Sequence, residues 1–195
     1  MHGLINRSIQ IFLCETYGGT LWADVASAAG LGPDGFEAML HYDDDVTDVV
    51  LASASGRLGK PRAALLEDFG AFLVTQEPLR RLLRFGGVDY ADFLLSLDEL
   101  QGRGLMALPD LDLPALGLNV HAGGRFTLTV QGDLPGWGAI ATGLLRAMAD
   151  DYGALATIEP MAPKNGTELL SIELHDARFA VGRRFDLAQP VVGAE

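Results

Sequence analysis

Four histidines, one cysteine and a run of three aspartates are the residues of this 195-residue chain best suited to catalysis or metal binding. His2, His41, His121 and His175 lie far apart, and none has a second His or Cys at ligand spacing, so each reads as a surface or packing residue rather than a metal ligand. Cys14 has no partner for an internal disulfide and lies beside an apolar stripe, where a thiol acts as a small buried hydrophobe. Asp43-Asp44-Asp45 would suit a hard cation, but calcium-loop spacing is absent. Just ahead of a helix, such carboxylates are expected to cap free N–H groups and complement the positive helix end. No phosphate-binding glycine loop, nucleophile elbow or His-Glu-x-x-His motif occurs, so the residues predict a non-catalytic protein.

One polar residue sits where an apolar one is expected. Leu94, Leu97, Gln101 and Leu105 share a face of a helix read over 89–105, beside Phe93 and Leu100. An amide in that stripe must be satisfied internally, reach solvent at a fraying end, or face a cavity.

The elements around it begin with helices. Leu4, Ile5, Ser8, Ile9, Phe12 and Leu13 recur at helical spacing and stop at Tyr17-Gly18-Gly19. Further helices are predicted over 20–29, 34–41, 46–58, 61–74 and 78–85, with Gly70 inside one of them marking a close packing contact or a bend. After Pro109 the texture changes to strands. Residues 115–121 and 125–130 form an expected hairpin around Gly123-Gly124, and a helix follows over 138–152. A strand near Thr157, a turn at Asn165-Gly166, a strand over 169–174 and a shorter piece over 178–181 complete an α+β fold, a helical subdomain followed by an antiparallel sheet with one inserted helix.

Composition narrows the function classes. With 14 basic and 26 acidic residues the formal charge is −12, which repels a phosphate backbone and excludes DNA and RNA as natural partners. Only Lys60 and Lys164 stand among the basic residues as lysines, and the arginine pairs are too short for a polybasic membrane anchor. No segment approaches the roughly 20 apolar residues of a membrane span, and no secretory signal is evident, so a cytoplasmic location is expected.

A series of short segments carries a family likeness: Met1-His-Gly-Leu-Ile-Asn6, Tyr17-Gly18, Leu21-Trp22, Tyr42-Asp-Asp, Ala52-Ser-Ala-Ser55, Phe69-Gly70, Phe93 to Leu100, and Pro114. In this order and spacing the chain resembles the heme nitric oxide/oxygen binding (H-NOX) family, which includes the heme domain of soluble guanylate cyclase. The resemblance covers residues 1–182 as one H-NOX-like domain, helical over about 1–60 and sheet-containing over about 61–182, with 183–195 a tail. It implies heme held between the two subdomains.

The heme-site positions implied by the resemblance are Gln101, Val130, Gly132, Leu134, Pro114, Ile5 and Leu105, with Gly70 at a hinge. Family members carry an iron-binding histidine where Gln101 stands, and a neutral amide is a poor substitute. Their Tyr-x-Ser-x-Arg motif, which holds the heme propionates, falls on Val130, Gly132 and Leu134 when aligned through Gly136 and Gly143. Moving one residue, to Gln131, Asp133 and Pro135, does not restore it. Burying two carboxylates without such partners costs several kcal/mol. Pro114 and Gly70 still match. The expectation is therefore a regulatory domain that does not bind heme in the usual way, with no cofactor assigned, acting through a signalling partner such as a histidine kinase or a cyclic-nucleotide enzyme. Two alternatives stand beside it. One is heme held by His2, His41 or His121 with Arg125 or Arg103 on the propionates; the other is an apolar ligand such as a lipid or a metal-free tetrapyrrole.

Overall fold

The computed structural model describes residues 1–32, 34–107 and 110–185, and these form eight α-helices and one four-stranded sheet. Helix α1 (Gly3–Tyr17) buries Ile5, Ile9, Phe12 and Leu13, and the His2 Nδ1 accepts a hydrogen bond from the Leu4 N–H at 3.1 Å as its cap. Its last turn closes at Gly18, whose φ of 93° favours glycine. Helix α2 (Gly19–Ala28) buries Trp22 and Val25.

The helix expected over 34–41 is instead a stretch of turns. Gly35 adopts φ 71°, and the buried Gln10 amide brackets the chain, donating to the Asp34 carbonyl and accepting from the Phe36 N–H at 2.9 Å. Burying Phe36 against Trp22 and Tyr42 outweighs local helix propensity here.

Helix α3 (Asp44–Leu58) starts in the acidic run, with Asp43 at the cap position, but no side chain caps it. The Asp44 carboxylate pairs with the Met1 ammonium at 2.7 Å, so Asp44 and Asp45 complement the helix end only through their charge. Helix α4 (Arg62–Thr75) and helix α5 (Glu77–Arg84) are separated by Gln76 alone. Phe12 of α1 packs on Phe69 and Phe72 of α4 at ring distances of 5.5 and 5.4 Å, joining the first helices to the rest.

The long helix expected over 89–105 is broken into helix α6 (Tyr90–Leu95), a 3-10 turn (Leu97–Glu99) and helix α7 (Leu100–Ala107). Two tertiary contacts account for the break. The Asp98 carboxylate accepts from the Leu118 N–H at 2.7 Å, satisfying an outward-facing donor of an edge strand, and Arg103 donates to the Ser96 carbonyl at 2.8 Å.

Strands β1 (Ala115–Val120), β2 (Arg125–Gln131), β3 (Leu155–Lys164) and β4 (Thr167–Asp176) form an antiparallel sheet in the order β1-β2-β4-β3. Asn165 and Gly166 turn the β3–β4 hairpin with φ of 53° and 78°, the two positive values a tight two-residue turn requires. The short strand expected over 178–181 is absent. There the chain turns, Arg178 N–H donating to Asp176 and Ala180 N–H to the Gly153 carbonyl. Helix α8 (Trp137–Tyr152) lies between the sheet and α4.

The α4–α8 contact is close to backbone-on-backbone. A methyl group at Gly70 would overlap the Ile140 carbonyl, and one at Gly143 would overlap the Glu67 carbonyl. Helix α4 runs unbroken through Gly70, so the glycine serves a packing contact rather than a bend. No described helix is long and apolar enough to cross a membrane. The stretch after Asp186 lies outside the described residues.

Candidate functional site

Where Met1 ahead of α1, the start of α3, α7, the segment leading into β1, the β2–α8 connection and the β3–β4 turn converge, the chain leaves a pocket of about 830 Å³. Three of the expected site positions border it: Gln101 of α7, and Gly132 and Leu134 of the β2–α8 connection. Pro114 stands at its edge, near enough to Gly132 that a Cβ there would lie 3.1 Å from the proline ring. Val130, 1% exposed, is in the sheet core, and Ile5, 7% exposed, is in the core of the helices. Neither they nor the half-buried Leu105 line the pocket.

Gln101 satisfies two of the three alternatives open to it. Its side-chain amide donates to the Leu113 carbonyl at 2.9 Å, and it faces the cavity as well. The segment carrying Leu113 is held from the other side, because Asp112 accepts the His2 N–H at 3.1 Å. The wall that the sequence leaves unsignalled is acidic and aromatic: Asp44, Asp112, Asp133 and Trp137. Asp44 belongs to the run read as a helix cap. Trp137 sits close because Gly132 has no side chain, a Cβ there falling 2.6 Å from the indole. Among the described residues, no Lys or Arg side chain lines the pocket, whose one cation is the Met1 ammonium paired with Asp44.

The histidines and arginines considered as alternatives are elsewhere. His2 is consumed as the α1 cap and packs edge-on against His41 at 4.9 Å. His121 meets Thr127 at 2.9 Å on the β1–β2 hairpin, where Arg125 donates to the Ala122 carbonyl. Arg103 is tied to Ser96. At the N-terminal end of α8 the Gly136 N–H is taken by Glu168 at 3.2 Å, so a carboxylate of the chain itself occupies the positive end of that helix.

The arrangement, helices closing over one edge of an antiparallel sheet with a cavity at the join, recurs in solved structures. A mutant H-NOX of T. tengcongensis superposes with a TM-score of 0.77 at 17% identity, covering 91% of this chain and 99% of that one. An H-NOX protein from S. oneidensis in its Fe(II)NO state gives 0.76 at 17% identity, covering 90% of this chain and 100% of that one. The fold is that of an H-NOX sensor domain. Residues 2–159 match the Haem-NO-binding family, and the chain belongs to it. A 132-residue stretch is 24% identical to the soluble guanylate cyclase gcy-31 of Caenorhabditis elegans, covering 62% of this chain and 19% of that protein. The chain thus spans about a fifth of that relative's length.

Proposed function

We propose that this chain is a non-catalytic, cytoplasmic sensor or regulatory domain of the Haem-NO-binding family that does not hold heme in the usual manner and acts through a partner signalling protein, such as a histidine kinase or a cyclic-nucleotide enzyme. The observation that carries this is Gln101. At the position where the resemblance places an iron-binding imidazole, the chain has an amide already engaged with the Leu113 carbonyl.

The residues present do not fit a heme. Among the described residues the pocket lining has no imidazole, thiolate or phenol to bind iron and no basic side chain to receive propionates; its one cation, the Met1 ammonium, is already paired with Asp44, and Asp112 and Asp133 would repel them. Val130, Gly132 and Leu134 offer no hydrogen-bond donor from their side chains. What the family fold retains is its framework: the pocket, the α4–α8 contact at Gly70 and Gly143, and the helices above the sheet. Signalling then consists of a turn of α4 against α8 about that glycine contact, biased by a ligand in the pocket or by the partner.

An absorption spectrum of the purified protein, expressed with heme precursor and again after incubation with hemin, tests the reading. The expected result is no stable Soret band for the native chain, and a band appearing only in Gln101→His, or in neither protein, supports it. A stable Soret band in the native chain overturns it and sends the search for a ligand to His2, His41 and His121.

A further inference from the structure

Far from the pocket, at the other end of α8, four charged side chains converge. Asp151 is 1% exposed. Its Oδ1 accepts from Arg80 Nε at 2.8 Å and lies 3.7 Å from Arg183 Nε, while its Oδ2 lies 3.6 Å from Arg84 Nη1. Arg80 and Arg84 come from α5, and Arg183 from the chain beyond β4.

This cluster grips a specific segment. The Arg183 N–H donates to the Asp151 carbonyl at 2.8 Å, the Arg80 guanidinium donates to the Arg184 carbonyl at 3.0 Å, and the Ala180 N–H donates to the Gly153 carbonyl at 2.9 Å. The Arg84 guanidinium lies 3.9 Å from the Tyr152 ring centre and 5.0 Å from that of Phe185, and Arg80 covers Phe185 at 5.5 Å. Burial pushes the Tyr152 hydroxyl up to about 12, so the ring under Arg84 stays neutral at physiological pH. Close approach requires glycine on both sides: a Cβ at Gly182 would come 2.6 Å from the Asp151 and Tyr152 carbonyl oxygens, and Gly153 adopts φ 77° against the Ala180 carbonyl.

The cluster bridges α5 to α8, beyond the α4–α8 contact. Helix α5 continues from α4 past Gln76, and Asp151 lies eight residues beyond Gly143 on α8, about 12 Å along the axis. At that radius a rotation of about 10° between the helices shifts Asp151 relative to Arg80 by about 2 Å, enough to break a hydrogen bond. Asp151 Oδ2 and Arg84 Nη1 meet at 3.6 Å, a charge contact longer than a hydrogen bond.

We propose that residues 180–185 are an output strap, held against α5 and α8 by the Asp151 cluster and released when α4 turns against α8. This rests on the regulatory reading above, and supplies the place where such a turn leaves the domain. The strap carries its own reporter, because the side chains of Arg178, Arg183 and Arg184 are all exposed to trypsin, while only Arg183 and Arg184 have their backbones held by the grip, through Asp151 and Arg80.

The test follows tryptic cleavage by mass spectrometry, with Arg178 as internal reference. The native chain is expected to be cut after Arg183 and Arg184 at least tenfold more slowly than after Arg178. Phe185→Ala, which removes the ring under Arg80 and Arg84, and Asp151→Asn should each raise the strap rate tenfold or more while leaving Arg178 unchanged. Arg146→Ala removes the ion pair that ties α8 to Glu67 of α4 near the glycine contact together with a hydrogen bond to the Ile158 carbonyl of β3, Glu67→Ala removes the ion pair alone, neither leaves a buried charge behind, and each should raise the strap rate two- to fivefold. Cleavage of the native strap as fast as Arg178 overturns the grip. A strap rate indifferent to Glu67→Ala overturns its link to the α4–α8 contact. Neither result depends on heme, so a Soret band would defeat the preceding reading while these rates separately decide the strap.

Discussion

The two ends of α8 sit in opposite electrostatic surroundings. At the Trp137 end three aspartates, one of them paired with the Met1 ammonium, border an open pocket with no lysine or arginine side chain among its described residues; at the Asp151 end one buried aspartate is surrounded by three guanidiniums. A formal charge of −12 does not anticipate this division. It teaches that the chain concentrates arginine where the architecture must be locked and withholds it from the described lining of the cavity. Between the ends lies the Gly70–Gly143 contact, which carries no charge at all and rests on the absence of two methyl groups.

Breaking the locked end should have the largest effect. Asp151→Ala leaves the Arg80 side chain, 5% exposed, as an uncompensated buried charge, and a loss of about 3 kcal/mol or more is expected in urea denaturation. The midpoint should fall without a comparable change in slope. An unaltered midpoint would mean that the exposed Glu77, at 3.3 Å, suffices for Arg80 and that the two ends differ less than their surroundings suggest.

The middle of the helix gives the next effect, and its sign is informative. Replacing glycine by alanine inside an exposed helix stabilises by about 1 kcal/mol, and Gly56 of α3, where an added methyl would meet only open space, should behave so. Gly143→Ala should instead destabilise by about 1–3 kcal/mol, because its methyl must push the Glu67 carbonyl away. Opposite shifts in melting midpoint for the two variants are the expected result. Shifts of the same sign would show that α4 and α8 do not touch at their backbones in solution.

These contrasts also mark how far the sequence could be read. The periodic helices α1, α3, α4 and α8, the sheet, and the Asn165-Gly166 turn follow from local pattern, since spacing and turn chemistry act within a few residues. The failures share a cause in distant contacts. The stretch 34–41 is shaped by Gln10 on another element, and the helix over 89–105 is broken where Asp98 reaches Leu118 of β1. At the pocket, Gln101 stood out because an amide interrupts an apolar stripe. Asp112 and Asp133 carry no such signal, as an aspartate in a connecting segment is ordinary until the fold brings it to a cavity wall. The Asp151 cluster was invisible for the same reason, its partners lying 71 positions upstream and 32 downstream in Arg80 and Arg183.

The smallest effect is expected at Gln101, and its size separates two descriptions of the pocket. Gln101→Ala removes the donor to the Leu113 carbonyl, but Gln101 is only half-buried and its cavity is wide enough for water to take over the bond. The cost should therefore be about 0.5–1 kcal/mol in urea denaturation, the net value of one replaceable hydrogen bond. A closed, dry cavity would strand the Leu113 carbonyl and raise the loss to about 2–3 kcal/mol, since nothing could substitute for the missing amide. The small value would leave the contrast intact, an open end whose polar groups water can serve opposite an end whose charges only protein can serve. The large value would make both ends of α8 locked, and would move any ligand-driven change away from the cavity.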